Sequence, residues 1–572
     1  MKKLVSLLLV LLLILSTGSA ALAAEAKTYD LTPIVYIRGN GEIIYDSEGN
    51  MVPCEIQDLF NDEYVSEEDS ITKEKLIESC VNILLPFLAE GMLFDKWDNY
   101  ADAIYEEFSP LFEKATLDKN GNPQYGTTVS QEVLAQSEYN AANIDFKNPS
   151  VLGWYRTGQY DFCYDWRLSP YDHVDRLHEY IKTVMATTNS DGICIAARCM
   201  GGSLLHAYLE RYGHLGHVKR VFYGEVLANG CAFISDCFSG KIDFSDEYMQ
   251  LYLKQTEVCG ESGQGMGIVL TEFASEIVTR TVDLFVQTGT ANSLIGSVES
   301  LYNKLYKALM PSLILGTGMG TMPNYWVSVY EDDMDQALDL VFGKEGSARR
   351  QEYAGLIEKI QYYREHVSSD LEGFYKKISE DYGISVGVLA RYGYLSMPII
   401  ESHDELSDSL VGLSDASFGA TCSTATTTLT DDYINSRIAE DAKNAKYISP
   451  DKMVDLSTCY FPETTWVVKN SHHDDGEVFS EFCVHFLSYK NLTVSNDSRM
   501  SQFSVLDKST SWAGCFVTPM TEDNCESFEW LSAHENNPTI KSRLIALMKW
   551  LSTMFNFFTK LLKGEISLGG NK

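Results

Sequence analysis

Short apolar runs of strand length recur along the chain, separated by stretches whose apolar residues repeat every three or four positions. The runs are Pro33–Ile37, the aromatic Tyr160–Arg167, Ile193–Ala197, Val218–Tyr223, Ile384–Ala390 and Thr464–Lys469. Each is the length of a buried strand. The helical stretches include 70–115, with Leu76, Ile77, Cys80, Ile83, Leu84 and Leu88 on one stripe. A second follows Ser169-Pro170, an N-cap and N1 pair, through Val174, Leu177, Ile181 and Val184. A third carries Leu204, Leu205, Tyr208 and Leu209. Strands alternating with helices at this spacing predict an α/β fold with a doubly wound, mostly parallel sheet and right-handed crossovers.

The alternation is interrupted once. From 240 to 380 helical patterns dominate, with apolar faces at Leu301, Leu305, Leu309 and at Leu356, Ile357, Ile360, broken at Gly316–Met322. An insert of this kind between core strands predicts a large helical cap. The expected organisation is a signal peptide over 1–23, core over 27–239, cap over 240–380, core again over 381–480, and an accessory tail over 481–572. The tail ends in an amphipathic helix, 539–563. Ile540, Leu544, Leu547, Leu551, Met554, Phe555, Phe558 and Leu562 share one face, Lys541, Lys549, Lys560 and Lys563 lie on or near the other, and no acidic residue occurs. Such a helix either docks on its own domain or touches an anionic membrane surface.

Charge and cysteine usage narrow the picture. A net charge of −35 argues against nucleic acid and against polyanionic substrates. Lys2 and Lys3, the apolar run Leu4–Leu15 and Ala21-Leu22-Ala23 form a secretory signal with an A-x-A cleavage site, which predicts a secreted, extracytoplasmic protein. Ala24-Glu25-Ala26 is a second cleavage site. The 13 cysteines lack C-x-x-C spacing, so no zinc site is expected. Asp118–Asn122 starts like a calcium loop. Pro123 and Val129 stand where such a loop needs its glycine and glutamate, so a turn is predicted, with no metal and no cofactor.

The candidate chemistry centres on Asp191–Arg211, read DGICIAARCMGGSLLHAYLER. A strand, a sharp turn through Arg198–Gly202 and a helix follow one another. This unit resembles the nucleophile elbow of α/β-hydrolases, G-x-S-x-G, with Ala197 and Gly201 as its small residues and Cys199 in the nucleophile position. A side chain there stands at a helix N-terminus, where free N–H groups favour a negative charge, and Arg198 adds to that field.

With YDWR (164–167) ahead of a helix and this elbow, the chain is similar to the lecithin:cholesterol acyltransferase-like, lipase-like branch of that superfamily. The similarity runs in patches over about 30–235 and 320–480. It implies that a backbone N–H beyond Arg38-Gly39, that of Asn40, joins the Met200 N–H in an oxyanion hole. Arg38 stands where those relatives have histidine. Their acid loop, S-D-G-x-V, falls on Ser407-Asp408-Ser409-Leu410-Val411, making Asp408 the acid with serine in place of glycine. Their K-N-x-x-H pattern falls on Lys469–His473 and implies His473 as the base, with His472 as fallback.

Two readings follow. In one, the chain is an enzyme, a lipase, esterase or acyltransferase. Cys199 attacks an acyl ester or thioester, His473 moves the proton, and Asp408 orients the imidazole. Its partner is an acyl lipid or other hydrophobic ester. In the other, the departures at Arg38, Ala197, Cys199 and Ser409 mark a catalytically degenerate protein that binds a lipid or cell-envelope ligand.

Overall fold

The apolar runs assemble into one sheet. A computed structural model describes residues 32–39, 42–54, 98–143, 160–243, 310–506 and 517–525, with a few isolated positions between them. The 1–23 leader, Asn40, the 76–88 stripe, the leucines at 301, 305 and 309, and the 539–563 helix lie outside the described residues.

The strands are β1 (Ile34–Ile37), β2 (Asp161–Phe162), β3 (Ile193–Arg198), β4 (Val218–Gly224), β5 (Ser385–Tyr392), β6 (Thr465–Lys469), β7 (Phe503–Leu506) and β8 (Val517–Pro519). They order as β2-β1-β3-β4-β5-β6-β7-β8. All pairings are parallel except β7 with β8. The expected α/β class with a mostly parallel sheet is therefore the observed one.

Both faces of the sheet are covered, which explains why its strands read as near-continuous apolar runs. Ile193, Ile195 and Ala197 face α1 (Val174–Thr188) and α2 (Gly201–Tyr212) in the larger core. Cys194 and Ala196 face the other way, with Phe222, Leu389 and Trp466, in a second apolar layer. That layer is closed by a helix late in the chain, Gly476–Leu487, through Phe479, Phe482, Cys483 and Phe486. The Phe479 ring lies so close to Gly224 that a Cβ there would stand 2.1 Å from it.

The boundary expected at 480 is corrected by this helix and by β7 and β8. The core continues through Gly476–Leu487 and on to Pro519. Residues 481–487 carry a helical apolar face rather than a strand pattern, and β7 pairs with β6. Two further details differ. Of the aromatic run Tyr160–Arg167, only Asp161–Phe162 is strand. Ser169-Pro170 opens a short 3₁₀ turn, Pro170–Asp172, without a side-chain cap, and α1 starts at Val174.

Beyond β4 the chain forms α3 (Ala232–Ser239). The described part of the 240–380 segment is helical, including α4 (Met334–Phe342) and α5 (Ala354–His366). It is tied to segments leaving the carboxyl ends of the strands. The Cys231 N–H donates to the Ser328 carbonyl at 2.9 Å, and Ser235 Oγ to Asp333 Oδ2 at 2.9 Å. Asn324 accepts from Ser203 Oγ at 2.5 Å and donates to the Trp166 carbonyl at 2.8 Å. At Asp118–Asn122 the structure has the expected turn, its amides at Asn120 and Asn122 donating to the Asp118 carboxylate.

Candidate active site

The chain leaves β1 for one side of the sheet and returns through β3 on the other, so the loops beyond these two strands diverge. Open α/β sheets form a crevice at such a switch point, at the carboxyl ends of the strands. Cys199 occupies it. The residue directly follows β3 and adopts φ 53°, in the left-handed region that a non-glycine side chain enters at a cost. Strain of this kind persists only where the surroundings over-determine it. Here they do. The Cys199 N–H donates to the Gly224 carbonyl at 3.1 Å, and its carbonyl accepts from Gly202 at 3.2 Å and Leu227 at 3.3 Å.

Close packing explains the small residues of the elbow. A Cβ on Gly201 would lie 2.5 Å from the Ile37 carbonyl oxygen and 2.6 Å from that of Arg38, both main-chain atoms. One on Gly39 would lie 2.7 Å from the Cys199 Cβ and 3.3 Å from the Met200 nitrogen. The loop after β1 is thus pressed against the nucleophile position and the start of α2. Met200 is the N-cap of α2, without a side-chain cap, so its amide is at the end of the helix that presents free donors. Ala197 is fully buried in β3 and fits there with its methyl group.

The YDWR string is what holds that loop. Tyr164 Oη donates to the Arg38 carbonyl at 2.9 Å and Trp166 Nε1 to the Glu42 carbonyl at 3.1 Å. The two bonds hold the backbone at Arg38 and at Glu42. Asp165 and Arg167 form a buried ion pair at 2.7 Å, and Arg167 also donates to the Ala115 carbonyl at 2.9 Å. The motif is a scaffold behind the site. Arg38 itself pairs with Asp161 at 2.9 Å.

Asp408 and His473 meet although 65 residues apart: Nδ1 of His473 lies 2.8 Å from Asp408 Oδ2. The Asp408 carboxylate is fully buried, and its other oxygen accepts from the amides of Leu410 at 3.1 Å and Val411 at 2.8 Å. Burial pushes this carboxyl up. The charge and hydrogen bond of His473, the Arg391 guanidinium and the Val411 amide outweigh it and hold the group down at about 2. For His473, burial pushes down. The charges of Asp408 and Cys199, and hydrogen bonds to both, outweigh it and raise the imidazole to about 10. The histidine ring is therefore held by Asp408, and Cys199 is among the neighbours that raise it.

His472 is placed differently. Its Nδ1 accepts from the Asp474 N–H at 3.2 Å, which leaves Nε2–H to donate to Ser409 Oγ at 2.7 Å. Burial lowers its basicity. Ser409 has φ 91°, the conformation for which a glycine is the ordinary choice, and its hydroxyl is the anchor for His472. Ser409→Gly would relieve backbone strain of about 1 kcal/mol and lose a hydrogen bond of about 1 kcal/mol. The expected result is a stability within about 1 kcal/mol of the parent in urea unfolding.

Several residues around the pair were not singled out from sequence. Glu225, the residue after β4, is fully buried and pairs with Arg198 at 3.3 Å and with Arg391 at 2.5 Å. The Arg198 guanidinium is thus committed to Glu225 and to the His473 carbonyl, and is not free to act on Cys199 alone. Arg391 directly follows the apolar run 384–390, and the structure buries it fully within β5. Among the described residues no group of three or more histidine, cysteine or acidic side chains is arranged to hold a metal.

No family model and no curated protein matches the chain. A solved structure titled "The crystal structure of Tle4-Tli4 complex" is similar at 14% identity, over 63% of this chain and 75% of that one, with a TM-score of 0.23. A likeness of that size bears on neither the fold nor the chemistry, which stand on the geometry above.

Proposed function

We propose that this protein is a cysteine-dependent hydrolase or acyltransferase of carboxylic esters or thioesters, working through Cys199, His473 and Asp408. The observation that carries the reading is the Asp408–His473 pair at 2.8 Å, with Cys199 among the groups that raise the imidazole and standing at an elbow with φ 53°. A merely structural histidine would not need a strained cysteine beside it.

In the proposed reaction the Cys199 sulfur adds to the acyl carbonyl carbon. The developing oxyanion is met by the Met200 N–H and, as the resemblance implies, that of Asn40. The bond to the leaving alcohol or thiol breaks, and His473 gives the leaving atom its proton. Water or an acceptor alcohol then gives its proton to His473 and attacks the thioester, and the sulfur leaves. An imidazole raised to about 10 is held protonated at neutral pH, the state the first half-reaction needs.

A small apolar cavity of about 30 Å³, which would have to widen to take an acyl chain, lies beside the helical insert. Its walls include Phe233, Ile234 and Phe238 beyond β4, Met397 beyond β5, and Met310 and Leu313 from the helical insert. Both flanking segments continue directly from strands that carry the site. We extend the proposal to a cap role for residues 240–380 and to secretion through the 1–23 leader.

The test is intact mass after brief exposure to iodoacetamide. Cys199 is expected to be alkylated ahead of the other cysteines, nine of which are described with free thiols and most of them buried. His473→Ala should abolish that selectivity. Uniform slow labelling would favour a protein that only binds its ligand.

A further inference from the structure

We propose that Glu225, clasped between Arg198 and Arg391, forms a positioning unit that fixes the base His473 through its main-chain carbonyl. The inference rests on the Cys199–His473–Asp408 reading.

The three side chains come from three adjacent strands. Arg198 ends β3 next to Cys199, Glu225 follows β4, and Arg391 lies near the end of β5. One Glu225 oxygen is 3.3 Å from Arg198 Nε and the other 2.5 Å from Arg391 Nε. Each guanidinium then turns its outer nitrogens to the loop after β6. Arg391 Nη2 donates to the His473 carbonyl at 2.7 Å, and Arg198 Nη2 donates to the same carbonyl. Arg391 Nη1 adds the Asp475 carbonyl at 2.9 Å.

Two cationic donors on one carbonyl use both its lone pairs. The His473 amide is meanwhile held by the Asp408 carbonyl at 2.9 Å and its ring by Asp408 Oδ2. Every polar group of His473 is thereby fixed except the part of the ring that serves Cys199. Without Glu225 two buried like charges would face each other and the fork geometry would be lost.

Stability alone does not account for such a cluster. Buried ion pairs return little net stability over apolar residues of the same size, because desolvation offsets the attraction. Glu225 also adopts φ 43°, a conformation uncommon for any residue other than glycine. What the cluster supplies is the placement of one loop carbonyl relative to the elbow. None of its atoms touches the reacting sulfur in our reading, so these are positioning residues.

Glu225→Gln tests the inference, because shape is kept while the charge that orders both guanidiniums is removed. The readout is hydrolysis of a short-chain p-nitrophenyl ester, with thermal unfolding alongside. A misplaced base is expected to lower kcat by roughly ten- to a hundred-fold, while KM stays within about twofold because uniform substrate binding is untouched. A contribution through charge alone has the opposite sign. Removing an anion leaves the site more positive, favours a sulfur anion, and holds or raises the rate. Unchanged or faster turnover, with only a lower unfolding temperature, would overturn the proposal. If Glu225→Gln does not fold, Arg198→Gln decides, since its side chain is 19% exposed and the Arg391–Glu225 pair survives. The same loss of kcat is expected there, with Cys199 still alkylated ahead of the other cysteines. Loss of both kcat and that selectivity would point to the missing cation alone, and either that result or parental kcat would overturn the proposal. A parent chain inactive on the ester and unselective towards iodoacetamide would sink the hydrolase reading itself; an active parent with an equally active Glu225→Gln sinks only the positioning role.

Discussion

Cys199→Ala is expected to abolish ester and thioester turnover, by at least about 10³-fold, while leaving the fold intact. In the proposed reaction the sulfur is the attacking atom, and alanine keeps the Cβ against which Gly39 is packed. Backbone strain at φ 53° is shared by both residues, so unfolding temperatures should agree closely. Cys199→Ser is expected to retain part of the activity. A hydroxyl needs a neutral imidazole to take its proton, and His473 owes part of its elevation to Cys199. Serine removes that part, although Asp408 still holds the ring largely protonated. Its rate should therefore rise with pH more steeply than the parent's. A Cys199→Ala protein as active as the parent would end the catalytic reading and leave a binding protein.

Much of this site is legible from local patterns. The elbow announces itself because a strand, a Gly-Gly turn and a helix within 21 residues must bring Cys199 to a bend. Asp408 and His473 are reached through resemblance and loop position, since a single loop aspartate or histidine carries no local mark. The choice between His472 and His473 turns on which ring faces the elbow, a matter of one residue in a loop. In the structure Ser409, with its left-handed backbone, holds His472 through its hydroxyl, while Asp408 holds His473.

Less local features were out of reach. The YDWR run reads as an aromatic strand by composition. In fact its side chains turn back to bind the carbonyls of Arg38 and Glu42, a use of tyrosine and tryptophan that periodicity does not encode. Residues from 481 on read as a separate tail because their strand patterns are short and broken by turns, whereas in the structure β7 joins β6 and β8 pairs antiparallel with β7. Glu225 was invisible because a lone glutamate after a strand is ordinarily solvated. Its partners, 27 residues before it and 166 after it, are supplied only by the sheet order β3-β4-β5.

Asp408→Asn is expected to lower kcat by about 10³- to 10⁴-fold without loss of the fold. Asparagine matches aspartate in shape. Its amide oxygen can go on accepting from Leu410 and Val411, the two bonds that shape the loop. Its NH₂ group is then directed at His473 Nδ1, where Asp408 Oδ2 now sits. Two N–H donors cannot face each other, so the ring must present Nδ1 as an acceptor and carry its proton on the nitrogen facing Cys199. A ring in that tautomer cannot take a proton from the thiol. The lost charge also removes the first of the influences that raise His473 to about 10. Stability gives an independent check of sign. The raised imidazole stabilises the fold fully below its unfolded value of about 6.5 and ceases to do so as pH climbs through about 10. The depressed carboxyl adds stability above about 3.9 in the unfolded reference, lost as pH falls through about 2. The parent should therefore exceed Asp408→Asn in stability most between about pH 4 and 6.5, with the gap narrowing as pH climbs and closing above about 10. A variant that keeps parental kcat, or a stability gap that does not change with pH, would show that Asp408 neither orients nor charges the histidine.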